Sequence, residues 1–438
     1  MQNTEFSGSL RRVIGVGGLT LLAINQIVGS GIFGLPGLAA ELLGPAAILA
    51  YLIVGVLMLL VGLCFAEVGS RVAGAGGLYA YAHAAFGPVV GGIAGTLIWA
   101  ASSAVSSAAV ANLLVDTLAA SEPAIGGPVA RIVILVSVYA VLAAVNVRGA
   151  RHGSWLQGLL CLVKLLPLVA LAVLGLFSIH TANLQWVGTP PTPKIGEACV
   201  LVFFAFMGTE GALTASGEVI NPARTVPRAI VLALTSVAFL YVALQMAAQG
   251  VLGADLAAAK SPLVALGTAV LGPWGGRVIV AAILLSVAGF LASDVMSSPR
   301  ILYALADQEQ LPRVFAAVNA RYRTPAVAIL SYTLLCALLA CTGSFRQLVI
   351  VASSGTLVLY LICCLGLLRL RARNVAMDGE PFHAPGGWLV PLAASLIIVW
   401  MLTTLRWQEL AGAFVIVAVS AIVYSVHYRL RRPAAAEA

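Results

Sequence analysis

Lys164, Glu210 and Asp294 are three ionisable side chains set inside long apolar stretches of a 438-residue chain. A charge surrounded by hydrocarbon is costly, so each is a candidate for proton exchange, gating or substrate contact. Lys164 lies about a dozen residues past Arg151, too deep to snorkel easily. A buried lysine is suited to releasing and rebinding a proton; a snorkelling role is the competing reading. Glu210 stands beside a helix interruption, where it is either a proton-linked gate or a carboxylate capping the next half-helix. Asp294 has Ser293, Ser297 and Ser298 near it in sequence. It is open to lining a site, to binding a cationic group or a proton, and to pairing with another buried group.

Backbone groups supply the rest of the chemistry. Gly29-Ser30-Gly31-Ile32-Phe33-Gly34-Leu35-Pro36 falls in the middle of an apolar stretch, where glycine loosens the backbone and proline removes a donor. Gly208-Thr209-Glu210-Gly211 interrupts a second stretch in the same way. Unwound backbone at membrane depth is tolerated only where protein buries it or a cavity borders it. Two such breaks at corresponding places point to the substrate site of a secondary transporter. The competing account, that Gly29 and Gly31 only let helices pack closely, does not explain two matching breaks.

The elements that carry these groups are membrane helices. The chain is 61 % hydrophobic and 9 % charged, more apolar than a soluble domain can hide. Runs of spanning length fall at 13–42, 45–70, 88–119, 128–146, 155–178, 196–220, 229–251, 273–305, 325–342, 346–370, 388–405 and 409–428, which reads as twelve transmembrane helices. With the amino terminus inside, seventeen Lys and Arg side chains fall on the inner face and six on the outer, with Lys164 within a helix. That bias places both termini in the cytoplasm. Arg11 and Arg12 ahead of the first run fit an uncleaved first helix better than a signal peptide. The first and sixth runs, both broken, then cross in opposite directions. Residues 13–178 and 196–372 therefore read as two inverted five-helix repeats. Residues 1–12 form a cytoplasmic start, 388–428 two peripheral helices, and 429–438 a cytoplasmic tail.

Other classes find no support. The net charge of +8 is scattered among loops without interleaved aromatics, so nucleic acid is not a partner. The seven cysteines lie in apolar runs without ligand spacing, which predicts no metal. There is no metalloprotease motif and no phosphate-binding Gly-Lys-Ser/Thr loop, so neither an enzyme, a cofactor nor a primary pump is expected. No repeated charged ring suggests a channel filter.

The ordered motifs resemble the amino acid–polyamine–organocation (APC) transporters. They are Gly29-Ser30-Gly31-Ile32-Phe33, Gly74-Ala75-Gly76-Gly77-Leu78-Tyr79-Ala80-Tyr81, Phe86-Gly87-Pro88, Phe206-Met207-Gly208-Thr209-Glu210, the run from Glu218 to Pro227, and Pro299-Arg300-Ile301-Leu302-Tyr303-Ala304. The resemblance implies the LeuT-like fold, an all-α membrane protein with helices one and six broken. It also implies alternating access and an amino acid substrate. The substrate carboxylate would meet the amides of Gly29, Ser30 and Gly31 at a positive half-helix end. The ammonium would meet carbonyls of Ile27, Phe204 and Phe206, with Gly208 keeping the second break clear. Relatives place a closing aromatic where Phe204 stands; a plain core or lipid-facing phenylalanine is the alternative. A lysine placed like Lys164 occupies the region where sodium-coupled members bind their cation. The expectation is a neutral amino acid carrier driven by protons or by amino acid exchange, embedded in the lipid of a bacterial inner membrane. A cationic amino acid or polyamine antiporter is the alternative. Glu67 and Arg71 are spaced for a local salt bridge, and Glu218, Arg224 and Arg228 for ion pairs at the inner mouth.

Overall fold

The structure is a computed structural model and describes residues 14–72, 77–148, 154–186, 188–210, 219–307, 311–376 and 381–431. The first apolar run becomes two helices, α1 (Val16–Ile27) and α2 (Leu35–Leu43), separated by a tight turn at Val28 and a 3-10 turn over Gly31–Phe33. Pro36 sits in the first turn of α2, where its missing amide costs nothing. Next come α3 (Ile48–Arg71) and the short α4 (Gly77–Phe86), which the run boundaries above leave out. The third run holds α5 (Pro88–Thr96), a π-helical stretch over Leu97–Val105, and α6 (Ser106–Ser121). The helices α7 (Pro128–Val147), α8 (Ser154–Phe177) and α9 (Thr192–Phe206) follow.

Beyond the second break lie α10 (Pro222–Leu252), the single turn α11 (Asp255–Ala258) and α12 (Pro262–Asp307). The last kinks at Gly272, whose φ is 70° ahead of Pro273. The chain ends in α13 (Ala326–Thr342), α14 (Phe345–Ala372), α15 (Leu389–Thr403) and α16 (Trp407–Arg431). Among the described residues there is no strand, only an isolated bridge between Ile14 and Val219. Six helices among them are long and apolar enough to cross a membrane. Large apolar side chains stay exposed along α7, including Val129, Ile132, Val133, Val136 and Val141, a surface that suits lipid rather than water.

Two packed groups emerge. The helices α1, α2, α3, α9 and α10 pack on one another, and so do α6, α7, α12 and α13. Helix α14 touches both groups through α3, α9 and α6, and α8 touches both through α10 and α12. The two broken segments therefore lie in one group, which meets the other through α8 and α14 and directly where α10 and α2 touch α12.

The carboxyl end of α14 is pinned by Glu67, a fully buried carboxylate on α3. Arg71 donates to its Oε1 through Nε at 3.0 Å and a terminal nitrogen at 2.8 Å. Arg371 donates to both oxygens, and the Ala384 amide reaches Oε2 at 2.8 Å. The Arg71–Glu67 pair is the local bridge read from the spacing. Arg371 and the segment after α14 are additions that the spacing does not reveal.

Candidate functional site

The two breaks meet face to face. The last four carbonyls of a helix lack partners further along it, and in α1 three accept hydrogen bonds while the fourth lies in close contact with the second break. The Ile24 carbonyl accepts the Val28 amide at 2.8 Å. The Asn25 carbonyl accepts Lys164 Nζ at 2.7 Å, so α8 delivers a cation to the negative end of α1. The Gln26 carbonyl abuts Gly208, where a β-carbon would lie 2.5 Å from its oxygen. Gly208 also has φ +103°, so both its backbone and its close neighbour exclude a side chain. The Ile27 carbonyl accepts the Gly29 amide at 2.7 Å and lies 3.4 Å from the Tyr241 hydroxyl.

That Gly29 bond corrects one expectation: its amide is engaged rather than free for a ligand. Val28, with φ −71° and ψ 83°, adopts an inverse γ-turn, which closes an i-to-i+2 bond. The amides of Ser30 and Gly31 come before the turn's own bonds, which run from Phe33 to Ser30 and from Gly34 to Gly31 at 3.2 Å. The Ser30 hydroxyl is buried without a hydrogen-bond partner among the described residues.

At the second break α9 ends at Phe206, and Met207 is extended. The Phe204 carbonyl takes only a long 3.4 Å bond from Met207, and the Phe206 carbonyl takes the Thr209 hydroxyl at 3.3 Å. Each keeps an acceptor lone pair. Tyr241 of α10 donates to the Ala205 carbonyl at 3.1 Å while lying near that of Ile27, so one hydroxyl spans the carboxyl ends of both broken helices. Its ring stands edge-on to Phe206 at 5.0 Å. The Glu210 carboxylate accepts the Gly208 amide at 3.2 Å and the hydroxyl of Tyr360 on α14. It caps the break and ties it to α14 at once.

Phe204 covers the first break. A β-carbon on Gly31 would lie 2.8 Å from its ring, so glycine is what lets the ring sit there. Phe204 is itself edge-on to Phe345 at 6.4 Å. Asp294 is elsewhere. Its two oxygens accept Ser298 and Tyr332 hydroxyls, both at 2.7 Å, and these partners come from α12 and α13, not from the broken segments. Ser107 nearby bonds Tyr139 at 3.1 Å. Arg224 and Arg228 are exposed, and Glu218 lies outside the described residues. Sequence reasoning misses Tyr241 and Tyr360; a lone tyrosine hydroxyl deep in an apolar run is the signal that could have found them.

The chain is similar to known amino acid transporters. The serine/threonine exchanger SteT of Bacillus subtilis is 29 % identical over 339 residues, covering 75 % of this chain and 76 % of that protein. The branched-chain amino acid permease BcaP of the same organism is 24 % identical over 97 % of this chain and 95 % of its own length. Cationic amino acid transporter 4 of Mus musculus is 28 % identical over 88 % of this chain, which spans 64 % of that longer protein. The sequence profile described as amino acid permease matches residues 14–427, and the chain belongs to this family of APC transporters.

Proposed function

We propose that the protein is a secondary amino acid carrier that works by alternating access. In this reading twelve helices form two inverted five-helix repeats and a peripheral pair, in a bacterial inner membrane with both termini inside. One observation carries it: Gly208 sits directly on the Gln26 carbonyl, and Tyr241 spans Ile27 and Ala205. The two half-helix ends thus share one small space. The Ser30 and Gly31 amides, with the unpartnered Ser30 hydroxyl, offer donors to a carboxylate. The Ile27, Phe204 and Phe206 carbonyls offer acceptors to an ammonium, so a zwitterion is matched without a charged side chain. Phe204 is the aromatic closing over it. Lys164 holds the end of α1 and exchanges the coupling proton if transport is proton-driven, and Glu210 answers to the same proton through the second break.

A neutral substrate is favoured because Asp294 pairs with hydroxyls of α12 and α13 and with no group of the broken segments. The competing reading, a cationic amino acid or polyamine antiporter, draws on the cationic amino acid transporter among the relatives. Asp294→Asn separates the two: loss of cationic uptake with neutral uptake intact selects the antiporter. The primary test is uptake of a radiolabelled amino acid panel into sodium-free proteoliposomes under an imposed pH gradient, for wild type and Lys164→Ala. Concentrative uptake that collapses with the gradient and fails in the variant establishes proton symport. Uptake that requires preloaded amino acid establishes exchange and leaves Lys164 a gating role. No uptake of any amino acid overturns the reading.

A further inference from the structure

We propose that the amino end of α14 is the outer gate of this carrier, with Phe345 as its plug and Arg346 as its latch. The inference rests on the alternating-access reading and goes beyond it by naming the parts that separate. Arg346 donates to Glu41 at 2.9 Å and to Glu197 at 2.7 Å. Glu41 is in the last turn of α2 and Glu197 in the first turns of α9. One guanidinium therefore ties together the outer ends of both broken segments and α14. Its planar fork suits two carboxylates at once.

The preceding residue completes the closure. The Phe345 ring stands against Phe204, which itself lies on Gly31. On its other side a β-carbon at Gly34 would come within 2.9 Å of Phe345 and 3.1 Å of Leu113. Gly34 thus leaves room for the ring beside α6. The start of α14 is held in shape by a capping box between Ser344 and Gln347. An aromatic layer next to the substrate region and an ionic layer above it are carried by two consecutive residues. In this proposal the path from outside to the first break opens by parting both.

The latch is built to release. Arg346 is 32 % exposed, Glu41 48 % and Glu197 17 %, so water can take over each bond as it breaks. Partly exposed pairs of this kind are weaker than buried ones, which suits a contact made and lost in every cycle.

The test places a reporter under the plug. Leu113 is buried beside Gly34, on the side where the Phe345 ring also lies, and Leu113→Cys is expected to become reachable from outside only when the plug lifts. Its reaction with a membrane-impermeant methanethiosulfonate is followed in right-side-out vesicles, with the Leu113 parent as background for the native cysteines. Arg346→Gln is expected to raise the labelling rate about threefold to tenfold, from the loss of two partly exposed pairs. The double variant Glu41→Gln with Glu197→Gln keeps Arg346 and is expected to do the same. Unchanged labelling in either overturns the latch, because the ion pairs would then not hold the closed state. Amino acid flux by the wild-type protein is measured in the same vesicles. Failure of that flux counts against the carrier, whereas intact flux with unchanged labelling counts against the gate alone.

Discussion

Both ends of α14 are fastened by arginine to carboxylates on the group that carries the broken helices, yet the two fastenings are built differently. At the carboxyl end Glu67 is completely buried and receives two arginines and a backbone amide. At the amino end the arrangement is inverted: one arginine is shared between two carboxylates, in partial contact with water. Removing one member of a buried pair leaves an uncompensated charge and costs about 3–5 kcal/mol. An exposed pair contributes about 0–1 kcal/mol. The contrast implies that α14 is anchored to α3 at one end and free to swing at the other, pivoting on a fixed base.

The severest way to break this comparison is Glu67→Gln. The neutral amide leaves Arg71 and Arg371 facing each other without a counter-charge, so stability in detergent should fall by about 3 kcal/mol or more. Thermal unfolding of the purified protein reads this directly. A loss under about 1 kcal/mol would make the two ends equivalent and remove the argument for a pivot.

Between the two ends lies Tyr360, about half-way along α14, whose hydroxyl bonds Glu210 at the second break. Tyr360→Phe takes away one of the two donors to that carboxylate and leaves the Gly208 amide. Hydrogen bonds to charged groups contribute about 1.5–3 kcal/mol. The expected outcome is a stability loss near the lower figure with a clear fall in transport rate. A slower carrier of unchanged stability would sharpen the comparison differently. It would mean that the middle tie, like the outer one, is made and broken during the cycle.

How far these features can be read from the sequence follows the same division between local and distant partners. The two breaks are legible because glycine and proline inside an apolar run cost a continuous helix heavily. The Glu67–Arg71 bridge is legible because residues four apart on a helix are neighbours. Arg371, 304 positions from Glu67, reads only as a basic residue at a helix end, since nothing local says which carboxylate it meets. Asp294 shows the same limit: its depth is readable, whereas the direction that joins it to Tyr332 is set by how α12 packs on α13. The γ-turn at Val28, which engages the Gly29 amide, depends on a single ψ angle that composition does not encode. The outer latch comes nearest to being legible. Glu41, Glu197 and Arg346 all fall at ends of their apolar runs that the positive-inside reading puts on one side, and opposite charges gathered there invite pairing.

The smallest expected effect tests what kind of contact the latch is. Arg346→Lys keeps the charge but replaces a planar fork by a single ammonium on a flexible stem. If net attraction to the two carboxylates holds the gate, lysine should keep the Leu113→Cys reporter as protected as arginine does, with stability changed by less than about 1 kcal/mol. If the fork matters because it spans Glu41 and Glu197 together, lysine can satisfy only one at a time. Labelling should then fall between wild type and Arg346→Gln while stability stays at the wild-type value. The geometry favours the second outcome, because separate nitrogens of the guanidinium serve the two carboxylates at 2.9 and 2.7 Å. A lysine variant as leaky as the glutamine one would go further still. It would show that closure needs α2 and α9 held at the same instant, as one point of control for both broken segments.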